Sequence, residues 1–188
     1  MAFPFGETFA SALPYQEYLQ QHGSAKDRQK WSSVEASLAL SADQRQLLHS
    51  FRREMRVLCM AGAWCGDCVQ QCPIFRRFQQ ETSTIDLRFI DRDTDLELAE
   101  ELTICGAARV PQLVFLSEEG ALVGRYGDRT LATYRKMASE SSGAACSTGL
   151  VIDTDTTQHH VVQQWLDEFE RVQLILRTSP HLRTIHGD

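Results

Sequence analysis

The spacing of apolar residues divides the chain into a helical first part and an alternating second part. Three segments of the first part have helical spacing: residues 14–21, residues 28–40, and a third that begins after Ser41, a plausible N-cap. The second part changes to short apolar runs separated by helical ones. We therefore predict a helical extension, residues 1–50, packed on an α/β domain, residues 51–188.

The second part reads as strands and helices in alternation. We predict strands at 56–61, 85–89, 112–116 and 121–126, and helices at 67–80, 95–104, 130–137 and 158–178. The small polar residues of 138–157 predict a flexible loop before the last helix. The order β-α-β-α-β-β-α predicts a central mixed sheet of four to five strands flanked by helices.

Composition narrows the class of protein. The chain has 188 residues, 43% of them hydrophobic, and a formal charge of −6, which suits one domain with an extension. No stripe of Lys and Arg suggests nucleic-acid binding. The longest apolar stretch, residues 57–64, is too short for a membrane span. The first cationic residue is Lys26, so we expect no secretory signal in the chain as given and a cytoplasmic location.

Six cysteines carry the candidate chemistry. They stand at positions 59, 65, 68, 72, 105 and 146. Three of them are clustered, which indicates a local site in a reducing compartment rather than a disulfide scaffold. Two belong to Trp64-Cys65-Gly66-Asp67-Cys68, which follows a predicted strand and opens a predicted helix.

This spacing suits a pair of thiols that closes and reopens a disulfide. Cys65 lies just before a helix, where unpaired N–H groups and the helix dipole favour a thiolate, so we predict that Cys65 attacks. Cys68, one turn later, is placed to resolve the mixed disulfide. Gly66 leaves room for a partner to approach. Half of a zinc site is the alternative, but the usual second cysteine pair is absent, so we predict no metal.

Three further positions resemble the thioredoxin superfamily. Pro73 stands five residues after Cys68, where family members have a proline within the helix. Val110-Pro111 opens the next strand, at the position of the family's cis-proline, and Gly127 follows the last strand. The resemblance covers roughly residues 50–137 and a closing helix.

The resemblance implies a thioredoxin-like fold and a thiol–disulfide oxidoreductase that acts on protein disulfides. Cys65 would be the nucleophile and Cys68 the resolving cysteine. Trp64 and the Val110-Pro111 backbone would shape the groove in which a substrate chain lies. No organic cofactor is implied, and electrons would come from a reductase protein or a small thiol. The oligomeric state is left open.

Several departures from the family pattern predict a divergent member. Asp67 replaces the usual proline between the cysteines, and we expect its carboxylate to raise the pKa of Cys65. The buried acid of thioredoxin corresponds to Cys59, and its lysine partner to Leu87. The fold alone therefore does not decide whether the chain reduces, oxidises or isomerises disulfides.

Two rival functions fit the same residues. A protein of this fold could bind or sense one dedicated partner with little turnover, and the helical extension could cover or lengthen its groove. Peroxide reduction is less favoured because no Arg or Lys lies near Cys65 in sequence. Cys72 falls on the same helical stripe as Cys68; we interpret it as a core residue, with a third redox thiol or a metal ligand as the alternative.

Other candidates receive ordinary structural interpretations. Cys59 and Cys105 are expected to be buried and inert, and Cys146 to lie in the flexible loop. Arg109 is expected to be a surface residue, although it could receive an acidic partner. Asp91, Asp93 and Asp95 alternate as in a calcium loop, but the glycine and glutamate of such a loop are missing.

Overall fold

The computed structural model describes residues 3–141 and 157–188. The helices are α1 (Phe5–Ser11), α2 (Tyr15–His22), α3 (Ala25–Ser37), α4 (Ala42–His49), α5 (Gly66–Glu81), α6 (Leu96–Glu101), α7 (Leu131–Ser141), α8 (Thr157–Thr178) and α9 (Pro180–His186). The strands are β1 (Leu13–Pro14), β2 (Met55–Ala61), β3 (Ile85–Asp91), β4 (Gln112–Ser117) and β5 (Leu122–Gly127).

The five strands form one mixed sheet in the order β1-β3-β2-β4-β5. β2 lies at the centre, parallel to β3 and antiparallel to β4. This confirms the predicted α/β class and the mixed sheet of four to five strands. Because Met60 pairs with Gln112, the end of β2 lies beside the start of β4. The segments that follow β2 and precede β4 therefore meet at one edge of the sheet.

The burial of each strand follows its place in the sheet. β2 is almost entirely buried, as expected for a central strand covered on both faces, and apart from Arg56 its sequence is accordingly apolar. β3 instead alternates buried and partly exposed positions, which is the period of two of a strand. Asp86 and Arg88 occupy two of the three partly exposed positions, and Ile90 occupies the third.

Aromatic side chains join the N-terminal part of the chain to the sheet. Tyr15 and Tyr18 from α2, with Trp31 from α3, form what we call the extension aromatic cluster. Their rings lie 5.6, 5.4 and 6.4 Å from the ring of Phe89 on β3. The indole N–H of Trp31 donates to the carbonyl of Ala63 at 2.9 Å. The extension thus shares the core of the sheet and holds the backbone just after β2.

The C-terminal helix α8 covers another part of the core. Trp165 lies 4.5 Å from Phe75 on α5, measured between ring centroids. Phe169 lies 5.2 Å from both Phe78 on α5 and Phe115 on β4. The helix matches the predicted segment 158–178 closely. Among the described residues, no helix combines the length and apolar character needed to cross a bilayer.

Several short elements differ from the prediction made from the sequence. α1, β1 and α9 were not predicted, and Pro14, placed in a helix, belongs to the two-residue strand β1. These segments are too short to establish a period. Helix α7 continues to Ser141, so the predicted loop at 138–157 is wrong for its first four residues. The rest of that loop up to residue 156, with Cys146, lies outside the described residues.

The environment of Cys105 corrects another expectation. We expected a buried residue, yet Cys105 is exposed. Helix α6 ends at Glu101 instead of residue 104, because Ile104 and Ala107 exchange backbone hydrogen bonds of 2.9 and 3.1 Å across a tight turn. Cys105 occupies that turn with a φ of 51°, and its side chain points away from the core.

Replacing Trp31 by Phe should lower the free energy of unfolding by about 1–3 kcal/mol, because it leaves the carbonyl of Ala63 without its donor in a buried site. Urea denaturation measures the change. Trp64→Phe is the matched control: this side chain is 51% exposed, so the change should stay within about 0.5 kcal/mol. Equal stability of Trp31→Phe and wild type would contradict the contact's role.

Candidate active site

The turn after β2 places Cys65 and Cys68 at different depths. Cys65 is the N-cap of α5; its N–H donates to the Gly62 carbonyl at 2.9 Å and its carbonyl accepts from Val69 N–H at 3.0 Å. Cys65 is partly exposed, whereas Cys68 is fully buried one turn later. Both are free thiols. A partner can therefore reach the sulfur of Cys65 but not that of Cys68.

Backbone groups on both sides contact the two sulfurs. The Gly62 N–H donates to Cys68 Sγ at 3.4 Å. The thiol of Cys65 donates to the carbonyl of Val110 at 3.8 Å, and the Val110-Pro111 peptide is cis. The structure thus brings the docking residues named from the sequence next to Cys65, although 45 residues separate them in the chain.

The two thiols ionise as a pair. The interaction with Cys68 and then burial raise the pKa of Cys65. Burial opposes charge on Cys68, but interactions with the thiols of Cys65 and Cys72 and with the Gly62 N–H together lower its pKa. The pair therefore loses its first proton readily and its second with difficulty. The first charge belongs to the pair, and that Cys65 carries it when it attacks stays a prediction.

Asp67 takes part in an ion-pair network at the start of α5. Its carboxylate lies 2.5 Å from the guanidinium of Arg129, which also lies 3.2 Å from the buried carboxylate of Asp128. The guanidinium of Arg109 lies 3.6 Å from the carboxylate of Asp128, and the hydroxyl of Tyr134 donates to that carboxylate. We call these five residues the acid–arginine network. It compensates the charge of Asp67.

This pairing limits the effect that we expected of Asp67. Its carboxylate contributes to raising the pKa of Cys68, while its backbone N–H lowers that of Cys65. The guanidinium of Arg129 offsets the carboxylate from the other side. That Asp67 raises the pKa of Cys65 stays a prediction, and Arg129 now enters it as an opposing charge.

Two residues behind the network were not singled out from the sequence. The side-chain amide of Gln71 on α5 donates to the carbonyl of Asp128 at 3.0 Å, and its oxygen accepts from the indole N–H of Trp165 at 2.8 Å. Gln71 and Trp165 thus tie α5, α8 and the segment after β5 together. These contacts join residues 57 and 94 positions apart in the chain, so no local sequence pattern predicts them.

Position 127 requires glycine because the backbone of Pro111 lies close to it. The φ of Gly127 is 152°, and a Cβ atom there would lie 2.6 Å from the carbonyl oxygen of Pro111. Any other side chain would therefore push β5 away from the segment that contacts Cys65. The sequence indicated this position through its family pattern, but only the structure shows what it supports.

The surface around Cys65 is open on the helix side. A Cβ atom added at Gly66 would meet no atom within 4 Å. Trp64 is 51% exposed, and the guanidinium of Arg92 lies 4.7 Å from the centre of its ring. Trp64, Gly66 and the Val110 carbonyl therefore border the accessible sulfur.

Cys72 and Cys59 lie deeper in the same region. Both are fully buried, and their sulfurs are 3.9 Å apart. Burial raises the pKa of each thiol. Within residues 3–141 and 157–188, no group of three or more His, Cys, Asp or Glu side chains has an arrangement that could hold a metal ion. Asp95, one of the three alternating acids, caps α6 by accepting from Leu98 N–H at 2.9 Å.

A protein-family model described as thioredoxin matches residues 12–141. The chain belongs to the thioredoxin family. The match includes the cysteine turn, the Val110-Pro111 segment and most of the helical extension. No curated protein matches the chain.

Solved structures of the same fold are similar over most of the chain. One is a protein of unknown function from Pseudomonas aeruginosa, 22% identical, with a TM-score of 0.70; the match covers 90% of this chain and 98% of that one. A second is an HIV epitope scaffold, 18% identical, also with a TM-score of 0.70, covering 90% and 97%. A thioredoxin from Fasciola hepatica is 22% identical with a TM-score of 0.36, covering 51% and 88%. At these identities the first two likenesses show the fold alone.

The pairing of Asp67 with Arg129 predicts a specific pattern of thiol pKa values. Arg129→Gln leaves the carboxylate of Asp67 unopposed, so the first thiol pKa should rise by about half a unit to one unit. Iodoacetamide alkylation of Cys65 should slow at pH values near this first pKa, because less thiolate is present there. The pH dependence of that alkylation measures the pKa.

Asp67→Asn and the double variant complete a cycle. In the double variant the pKa should return towards the wild-type value, because neither charge remains. If Arg129→Gln lowers the pKa, or if the double variant matches Arg129→Gln alone, the electrostatic assignment is wrong.

Proposed function

We propose that this thioredoxin-family chain is a thiol–disulfide oxidoreductase that acts on protein disulfides. The observation that carries the proposal is the placement of one reachable sulfur before one buried sulfur. Cys65 lies at the N-terminus of α5, 3.8 Å from the Val110 carbonyl, and Cys68 lies fully buried behind it. This arrangement separates the thiol that meets the substrate from the thiol that completes the reaction.

The reaction begins from the singly ionised pair, in which the remaining proton lies on Cys68 when Cys65 attacks. The Cys65 thiolate attacks one sulfur of the substrate disulfide; that S–S bond breaks and a mixed disulfide with Cys65 forms. The substrate's other sulfur leaves as a thiolate and takes up the proton of Cys68. Cys68 then attacks Cys65 Sγ, and the second substrate thiolate leaves and takes a proton from solvent. Two protein thiols are oxidised, and one substrate disulfide is reduced.

Substrate docking uses the backbone beside the sulfur. When a substrate displaces the contact between Cys65 and Val110, the carbonyl of Val110 becomes an acceptor for a substrate N–H group. Gly66 permits close approach, and Trp64 supplies an apolar ring at the border of the groove. An extended segment next to a disulfide suits this surface, which favours protein substrates over small peroxides.

The cycle needs a source of electrons that the chain does not contain. A reductase protein or a small thiol would attack the Cys65–Cys68 disulfide by the same chemistry in reverse. Such donors are abundant in reducing compartments, which agrees with a cytoplasmic site of action. The network around Asp67 would tune how readily the pair accepts or gives electrons.

Reduction of insulin by dithiothreitol tests the proposal. Wild-type protein should accelerate the reaction, and Cys65→Ser should return the rate to background because the reachable sulfur is gone. Cys68→Ser should accumulate a mixed disulfide through Cys65, visible by mass spectrometry under non-reducing conditions. Cys105→Ser is the matched control and should retain full activity, since this exposed thiol lies in the turn after α6.

Two results would overturn the proposal. Wild-type protein that fails to accelerate the reaction, yet traps one partner through Cys65, would indicate a dedicated binding or sensing protein. Unchanged activity of Cys65→Ser would place the chemistry elsewhere.

A further inference from the structure

Two more thiols continue the line of sulfurs behind the active pair. Cys72 lies one turn after Cys68 on the same face of α5. Cys59 projects from β2, with its sulfur 3.9 Å from that of Cys72. Cys68, Cys72 and Cys59 are all completely buried. The four sulfurs therefore run inward from the surface at Cys65 to the centre of the sheet at Cys59.

The helical extension lies over the inner end of this line. Tyr15 and Tyr18 of the extension aromatic cluster pack on Phe89, which pairs with Cys59 across β3 and β2. Tyr18 is fully buried, and Tyr15 nearly so. Oxidants in solution therefore have no direct route to Cys59 or Cys72. Electrons can leave these thiols through Cys68.

We propose that Cys59 and Cys72 form a second redox-active pair, which exchanges electrons with the Cys65–Cys68 pair through attack of Cys72 on Cys68, one turn before it on α5. The proposal rests on the proposed function, because the outer pair must first be oxidised by a substrate. The sulfurs of Cys59 and Cys72, 3.9 Å apart, have to approach to about 2.05 Å to form the bond. In the alternative interpretation, Cys59 and Cys72 are core residues that act only as small apolar groups.

The exchange takes place in two balanced steps. Cys72 attacks Cys68 Sγ in the Cys65–Cys68 disulfide; the Cys68–Cys72 bond forms, and Cys65 leaves and takes up the proton that Cys72 lost. Cys59 then attacks Cys72 Sγ; the Cys59–Cys72 bond forms, and Cys68 leaves with the proton of Cys59. The outer pair is reduced again and the inner pair is oxidised, without any external reagent.

The inner pair would serve as a store of two electrons. A fully reduced chain could then reduce two substrate disulfides before it needs its electron donor. Because burial raises the pKa of both inner thiols, few thiolates are present and the inner exchange is slower than the outer one. The stored pair is released only after the outer pair has been oxidised.

The number of thiols that become oxidised tests whether the inner pair stores two electrons. The full chain carrying Cys105→Ser and Cys146→Ser retains four thiols and serves as the parent. The reduced parent is treated with excess oxidised glutathione, quenched with acid, alkylated and mapped by mass spectrometry. We expect all four thiols to be lost, first as a Cys65–Cys68 disulfide and then more slowly as a Cys59–Cys72 disulfide. Cys72→Ala and Cys59→Ala in this parent should each lose only two.

Three outcomes separate the inference from the proposed function. Loss of only two thiols in the parent overturns the inner pair and leaves the outer chemistry intact. Loss of none overturns the proposed function as well. Oxidation of Cys59 and Cys72 in Cys65→Ser at the parent's rate would show that they do not exchange through the outer pair. The circular dichroism spectrum and urea midpoint of Cys72→Ala should match those of the parent, so a folding defect would be recognised.

Discussion

The antiparallel pairing of β2 with β4 is the constraint on which the site depends. Met60 at the end of β2 pairs with Gln112 at the start of β4, so the turn that carries Cys65 and the segment that carries Val110-Pro111 must lie side by side. A shift of the pairing by one residue would turn Cys59 to the opposite face of the sheet, away from Cys72 on α5, and displace the two segments relative to each other. On the other side of β4, Gln112 pairs with Gly127, whose lack of a Cβ lets β5 approach Pro111. The register of three strands thus fixes the surroundings of one sulfur.

The cysteines of the site differ in their depth of burial. Cys65 is reachable, and Cys68 behind it is buried and accepts from the Gly62 N–H. The extension fixes this arrangement from the far side, because Trp31 holds the carbonyl of Ala63, two residues before Cys65. The acid–arginine network closes the opposite side, where Arg129 compensates Asp67 at the start of α5. The charge at the site is therefore set by tertiary contacts as much as by the motif.

The sequence predicted those features of the fold and the site that depend on residues close together in the chain. The apolar run of β2, the period of α8 and the spacing of Cys65 and Cys68 each lie within a few turns or residues, so they were predicted. Val110-Pro111 was found through its resemblance to a family. The partner of Asp67 was not found, because Arg129 is 62 residues away and the pairing exists only once β5 has joined the sheet. Cys105 was misplaced because a tight turn ended α6 early, a competition that periodicity does not reveal.

Equilibration of the full chain with glutathione redox buffers, followed by acid quenching and peptide mapping, tests the central claim most directly. The account predicts that the first disulfide to form joins Cys65 to Cys68. It should form reversibly, at a potential within the range of about −270 to −120 mV that exchange proteins span. The account is contradicted if both cysteines stay reduced across that range, or if the first disulfide joins either of them to another cysteine.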